Sequence, residues 1–187
     1  MKHSALKILR CQFLMCAALC FLFLTSFVFT AFSAEEWAIF EDSEEGIRFL
    51  SIGTPEKNVF NGTDTITTSW SFGHLEDGTN GYVDATRLTQ GSFAGFNVLQ
   101  QAAELRSGVE RNGKTEVVEQ RPASVAGQPA VEFRTTMTTS KGTTWYGVLR
   151  MFVLQDTLYT LGVTAPNPSR LDSDQVQTYL NSLEKTR

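Results

Sequence analysis

Two histidines, a run of acids and a scatter of aromatic side chains are the residues of this chain whose types could do chemistry. Nucleophilic catalysis of the Ser–His or Cys–His kind needs an imidazole base within hydrogen-bond reach of a hydroxyl or thiol. His74 stands in the Gly-rich stretch from Gly73 to Asn80, with no serine elbow or cysteine beside it, and reads as a solvated loop histidine. His3 and all three cysteines, Cys11, Cys16 and Cys20, fall in the N-terminal segment, which leaves the remainder of the chain without disulfide or thiol chemistry. A transition-metal site wants several His or Cys ligands, so neither a metal nor another cofactor is expected. Glu41, Asp42, Glu44 and Glu45 read as a solvated acidic turn, because the ligand spacing and pivotal glycine of a calcium loop are missing. Gly91-Ser92-Phe93-Ala94-Gly95 lacks the spacing of a nucleotide loop and has no lysine after it.

Glu132 and Arg150 are different, since each is a lone charge amid apolar neighbours. Burying either alone is costly, and the segments that carry them are expected to pair, so the two are expected to form a structural ion pair. Trp70, Trp145, Tyr146 and Tyr159 are expected in the core, the usual place for strand aromatics. Trp145 and Tyr146 follow a polar turn and face opposite sides of a strand, which makes them the candidates for an exposed contact surface.

Strands must position most of these residues. In 130–137, Val131, Phe133, Thr135 and Met137 alternate with Glu132, Arg134 and Thr136, the period of a half-buried strand. Residues 145–154 are apolar at nearly every position, which suits a strand covered on both faces, and 158–163 follow after a short turn. Gly127 and Pro129 read as the turn that aims this meander. Before it, 37–40 and 47–52 read as a hairpin, 56–64 as a loop, and 66–72, 81–88 and 115–120 as strands. Val98, Ala102, Leu105 and Val109 recur at helical spacing, predicting a helix capped by Ser92 and running to Arg111. A last helix is predicted from an Asp172 and Gln175 capping pair, with Val176, Tyr179, Leu180 and Leu183 as its apolar stripe. Segregated strands and helices predict an α+β fold built on an antiparallel sheet.

The order Gly127-x-Pro129-x-x-Glu132-Phe133, Arg150-x-Phe152-x-Leu154, Leu158-Tyr159-x-Leu161 and Tyr179-Leu180-x-Ser182-Leu183 resembles the PsbP-like superfamily. That superfamily shares its fold with a Ran-binding nuclear import factor, and its bacterial exported branch has no assigned activity. The resemblance is close over the second half of the chain and loose over the first. It implies an α/β/α sandwich, a central, mainly antiparallel sheet flanked by helices. Family members include a photosystem extrinsic subunit and secretion-related chaperones. The first role depends on an N-terminal region not matched here and the second is cytoplasmic, so neither transfers.

Lys2, Lys7 and Arg10 precede an apolar run from Phe13 to Phe32, with Ala31, Ser33 and Ala34 before Glu35. This reads as a signal peptide over residues 1–34, ahead of a single PsbP-like domain over 35–187. A bilayer is spanned by about 20 residues, so retention of the segment as an uncleaved anchor is the alternative. Either outcome places the domain outside the cytoplasm, periplasmic or extracellular, with membrane attachment only if the segment is kept. Without those three bases the chain carries 13 basic and 20 acidic residues, a net charge of −7, which disfavours nucleic acid as a partner. These readings imply an exported, non-enzymatic accessory protein that binds another envelope or secreted protein. The alternatives are a small-ligand binder for lipid, sugar or peptide, using a cleft between sheet and helix, and, ranked last, a carboxylate-only hydrolase.

Overall fold

The computed structural model describes residues 37–73, 78–111 and 113–186. In chain order they form β1 (Trp37–Asp42), β2 (Ile47–Ile52), β3 (Glu56–Asn61), β4 (Thr65–Phe72) and β5 (Asn80–Leu88), then helix α1 (Ala102–Glu110). Four further strands follow, β6 (Thr115–Val125), β7 (Gln128–Thr138), β8 (Thr144–Leu154) and β9 (Thr157–Ala165). A 3-10 turn over Pro168–Asp172, helix α2 (Asp174–Tyr179) and β10 (Glu184–Lys185) complete the described chain. The main sheet has seven strands in the order β3-β4-β5-β9-β8-β7-β6, and a second sheet has three, β1-β2-β10. Every pairing is antiparallel, so the fold is α+β and dominated by sheet.

Registers in the meander follow from its turns. Ala126 and Gly127 have φ of 50° and 76°, the positive pair that a two-residue hairpin needs to match strand twist. The turn is therefore Ala126-Gly127, and Pro129, expected in the turn, lies inside β7 opposite Ser124. Pro122 sits in β6 without disrupting the sheet because β6 is an edge strand, where a missing N–H leaves no neighbour unpaired.

The two faces of the main sheet are covered unequally. On one face Trp70, Val83, Leu161, Phe152 and Tyr159 pack into a single cluster with Ile47 and Phe49 of β2 and with Leu171, Val176, Tyr179, Leu180 and Leu183 of the C-terminal segment. On the other, Val117, Val131, Phe133 and Leu149 are covered by Val98 and Ala102, with Leu105 and Val109 beside them. Helix α1 thus shields the β6–β8 side of that face. Beyond it the cross-strand rows become polar, running Ser69–Asp84–Thr160 and Ser71–Tyr82–Gly162.

Helices contribute less than the sequence suggests. Residues 92–101, expected as the first turns of a long helix, are a chain of local turns: Ser92 Oγ accepts from Ala94 N–H, and Asn97 Oδ1 accepts from Leu99 and Gln100 N–H. Such side-chain to backbone bonds compete with helix, and Gly95 at φ 81° breaks it outright. The cap of α2 is Ser173, whose Oγ accepts from Val176 N–H, and not Asp172, whose carboxylate takes Arg134. Residues 56–61, expected as loop, form the edge strand β3, exposed at every position, so no burial alternation marked it. Over the face opposite α1, a three-stranded sheet shares the covering with the six-residue α2. The signal-peptide reading and His74 lie outside the described residues.

Candidate functional site

The polar half of the sheet and the end of α1 enclose a groove of about 270 Å³. Glycines let the side chains at its floor lie close against the sheet. Gly162 lies opposite Tyr82 in the β5–β9 register, and a Cβ at Gly162 would meet the phenol ring, so the missing side chain lets Tyr82 lie across β9. Gly147 does the same beside Thr135, where a Cβ would meet the threonine hydroxyl. Val109 of α1, Met137, Trp145 and Leu149 make the apolar walls.

Among the described residues that line the groove, Asp84 is the one charged residue. Burial pushes its carboxyl above the ordinary carboxylate value of 3.8, opposed only by a hydrogen bond from the Ser69 hydroxyl. Burial, reinforced by the Asp84 charge, also pushes the Tyr82 phenol up. The backbone carbonyl of Tyr82 accepts from the Tyr179 hydroxyl at 2.5 Å, which ties this strand to the C-terminal helix on the far face. A carboxylate held in a cleft without a compensating cation is a feature of binding and catalytic sites.

A second perturbed carboxylate is structural in its surroundings. Asp42 Oδ1 accepts from the N–H groups of Glu44 and Glu45, both at 3.0 Å, and Oδ2 accepts from Trp70 Nε1 at 3.1 Å and lies 2.8 Å from Lys57 Nζ. Burial alone would raise its pKa, but the Lys57 ammonium and these donors outweigh burial and hold it below the ordinary value. The acidic run read as a solvated turn therefore contains a buried hub, with Asp42 8% exposed. No group of three or more His, Cys, Asp or Glu among the described residues is arranged to hold a metal ion.

The structure places Glu132 opposite Arg150 in the β7–β8 register. Arg150 Nε donates to Glu132 Oε2 at 2.8 Å, and the two residues are 7% and 1% exposed. Two further features are not visible in sequence. Arg121 Nε, from β6, donates to the other carboxylate oxygen of Glu132 at 2.8 Å. Arg150 also donates to Asn181 Oδ1 and Gln177 Oε1, both at 2.8 Å, so the network fastens three strands to the C-terminal segment. It lies on the face opposite the groove. Trp145 and Tyr146 are both half-buried and both line the groove, with the Trp145 ring against Gly78 and near Pro166 at one end. Tyr82 and Asp84 escaped sequence reasoning; the available signal was their place as the alternate, polar-side residues of a strand whose other face is Val83 and Ala85.

No protein-family model and no curated protein sequence matches the chain. Among solved structures, cyanobacterial PsbP (CyanoP) from Synechocystis sp. PCC 6803 superposes with a TM-score of 0.56, covering 83% of this chain and 95% of that one at 12% identity. The chain has a PsbP-like fold. A second similar structure is LpqN, involved in cell envelope biogenesis of Mycobacterium tuberculosis, at 9% identity and a TM-score of 0.47 over 81% of this chain and 91% of that one. On the PsbP-like scaffold of this chain, the Glu132 network occupies the side of the β6–β8 strands that faces α2, and the groove opens on the side that carries α1.

Proposed function

We propose that this protein is an exported, non-enzymatic accessory protein that binds another envelope or secreted protein, with the groove beside α1 as its contact surface. The observation that carries the reading is the preformed hollow between the end of α1 and the polar half of the sheet, flanked by Tyr82 and Trp145. Gly147 and Gly162, in strands where glycine is otherwise unfavourable, let Thr135 and Tyr82 lie close against the sheet beside the hollow, which supports a role in accepting something. At about 270 Å³ the hollow sits just below the roughly 300–1,000 Å³ of small-molecule pockets and suits a protruding side chain. Carboxylate-only hydrolysis works with a pair of acids, and the described lining holds one. Export rests on the N-terminal sequence. The PsbP-like fold is compatible with an accessory role without naming a partner.

The test is cross-linking in intact source cells, followed by capture of the tagged protein and mass spectrometry. The reading expects one partner, recovered reproducibly with wild type and depleted with Trp145→Ala. Recovery of monomer alone would contradict it. A small-ligand reading shares the groove and is favoured by its position between sheet and helix; a copurified small molecule in native mass spectra would select it.

A further inference from the structure

We propose that the groove is a receptor for a single cationic side chain, lysine or arginine, presented by the partner, with Asp84 as its counter-ion and Tyr82 and Trp145 as its flanking rings. This rests on the reading of the groove as a partner-binding surface and names what that surface recognises. Four observations converge on it.

The first is charge. Among the described residues no Lys, Arg or His lines the groove, and Asp84 is its one carboxyl. The carboxylates that meet cations elsewhere in the described structure do so within the fold: Asp42 meets Lys57, Glu45 meets Arg87, Glu132 meets Arg121 and Arg150, and Asp172 meets Arg134. Asp84, facing Ser69 across one strand pair and Thr160 across the other, has hydroxyl side chains as its neighbours in the sheet. Burial raises its pKa with no cationic contribution to offset it, so an incoming cation recovers the ionisation energy that the fold forgoes. The second is chemistry of the walls. Aromatic faces attract cations, and methionine and leucine walls suit the methylene stem of a long basic side chain.

The third is size, since the hollow holds one long side chain and not a folded segment. The fourth is geometry. Tyr82 is laid flat by Gly162, and its backbone is braced from behind by Tyr179, so the site is set before anything arrives. The exposed edge around Val59 and Phe60 is a larger apolar feature, but nothing in the structure shows what would cover it.

The test is an NMR titration of the protein as isolated from cells, with three blocked, alanine-rich pentapeptides whose central residue is lysine, arginine or norleucine. The proposal expects saturable shifts of the Trp145 indole N–H and of the Asp84 and Thr160 amides with the two cationic peptides. Norleucine should bind weaker by about tenfold or more, the worth of one charge-assisted hydrogen bond. Asp84→Asn, and Asp84→Thr as a strand-compatible second variant, should erase that preference while the rest of the spectrum stays in place. Equal binding of all three peptides, or a preference that survives in both variants, would overturn the proposal. A copurified small amine lost in Asp84→Asn would overturn its assignment to a partner protein. The accessory reading is scored separately, because in-cell capture by the wild-type chain reports on that reading and peptide selectivity reports on the cation.

Discussion

Asp42 and Asp84 are both removed from water, yet their carboxyls shift in opposite directions, and the difference is what each one meets. Around Asp42, an ammonium and three N–H donors outweigh burial. Around Asp84, burial meets one hydroxyl. The linkage signs follow. Asp42 has a folded pKa below its unfolded value of 3.8, so its contribution is complete above that value and disappears as the pH falls through the folded pKa. Asp42→Asn should lower the melting temperature at neutral pH and flatten the acid limb of a stability-versus-pH curve, read by thermal denaturation. Asp84 has a folded pKa above 3.8, so its contribution is complete below 3.8 and is lost as the pH rises through the folded pKa. Asp84→Asn should therefore melt higher than wild type at neutral pH, a stability gain of the kind found when a functional group is removed; a lower melting temperature there would contradict the account. Glu132→Gln breaks a buried pair and should cost about 3 kcal/mol, a fall of roughly 6–12 °C in a domain of this size. The exposed Arg48–Glu184 pair, by contrast, should give less than about 1 kcal/mol when truncated. At this scale the sequence shows lone charges within alternating strands, which is how Glu132 and Arg150 stand out. It hides partners that arrive from far along the chain, Arg121, Gln177 and Asn181 for Glu132 and Arg150, and Trp70 for Asp42.

Elements explain why the groove is where it is. Helix α1 begins at Ala102, ten residues after the serine that the apolar spacing suggested as its cap, because Ser92 and Asn97 bond their own backbone. The shorter helix still brings Val98, Ala102, Leu105 and Val109 to one apolar cluster, so the spacing located the packing face while overstating the helix. The meander strands were legible because β7 alternates along much of its length in sequence and β8 is a continuous apolar run with both faces covered. Edge strand β3 and the two-residue β10 were not, since neither buries a stripe of its own. Nothing in the local sequence marks Gly162 as special; its meaning comes from Tyr82, whose opposite placement only the strand register reveals. Gly162→Ala should push the Tyr82 ring off the sheet with little effect on the rest of the fold. Aromatic-ring NMR of Tyr82 would report this, with unchanged Tyr82 chemical shifts counting against the role given to the glycine.

For the molecule as a whole, the uneven covering of one sheet is the organising fact. One face is closed by β1, β2 and the C-terminal segment around a continuous aromatic and aliphatic core. The other is closed only where α1 reaches, and the remainder presents hydroxyls, phenols and, among the described residues, one carboxyl around a hollow. The acidic balance of the chain after residue 34, 13 basic against 20 acidic residues, would steer a basic partner towards it. No helix among the described residues is long and apolar enough to cross a membrane. If the open half of this sheet is where a partner docks, a site-resolved cross-link will find it there. A photo-cross-linking residue would be placed at Thr164, in the groove, and separately at Val59, on the far edge of the same sheet, and each protein irradiated in intact source cells. The account predicts one discrete cross-linked protein from Thr164, competed away by the lysine-centred peptide, and none from Val59. The same product from both positions, or from Val59 alone, would contradict it.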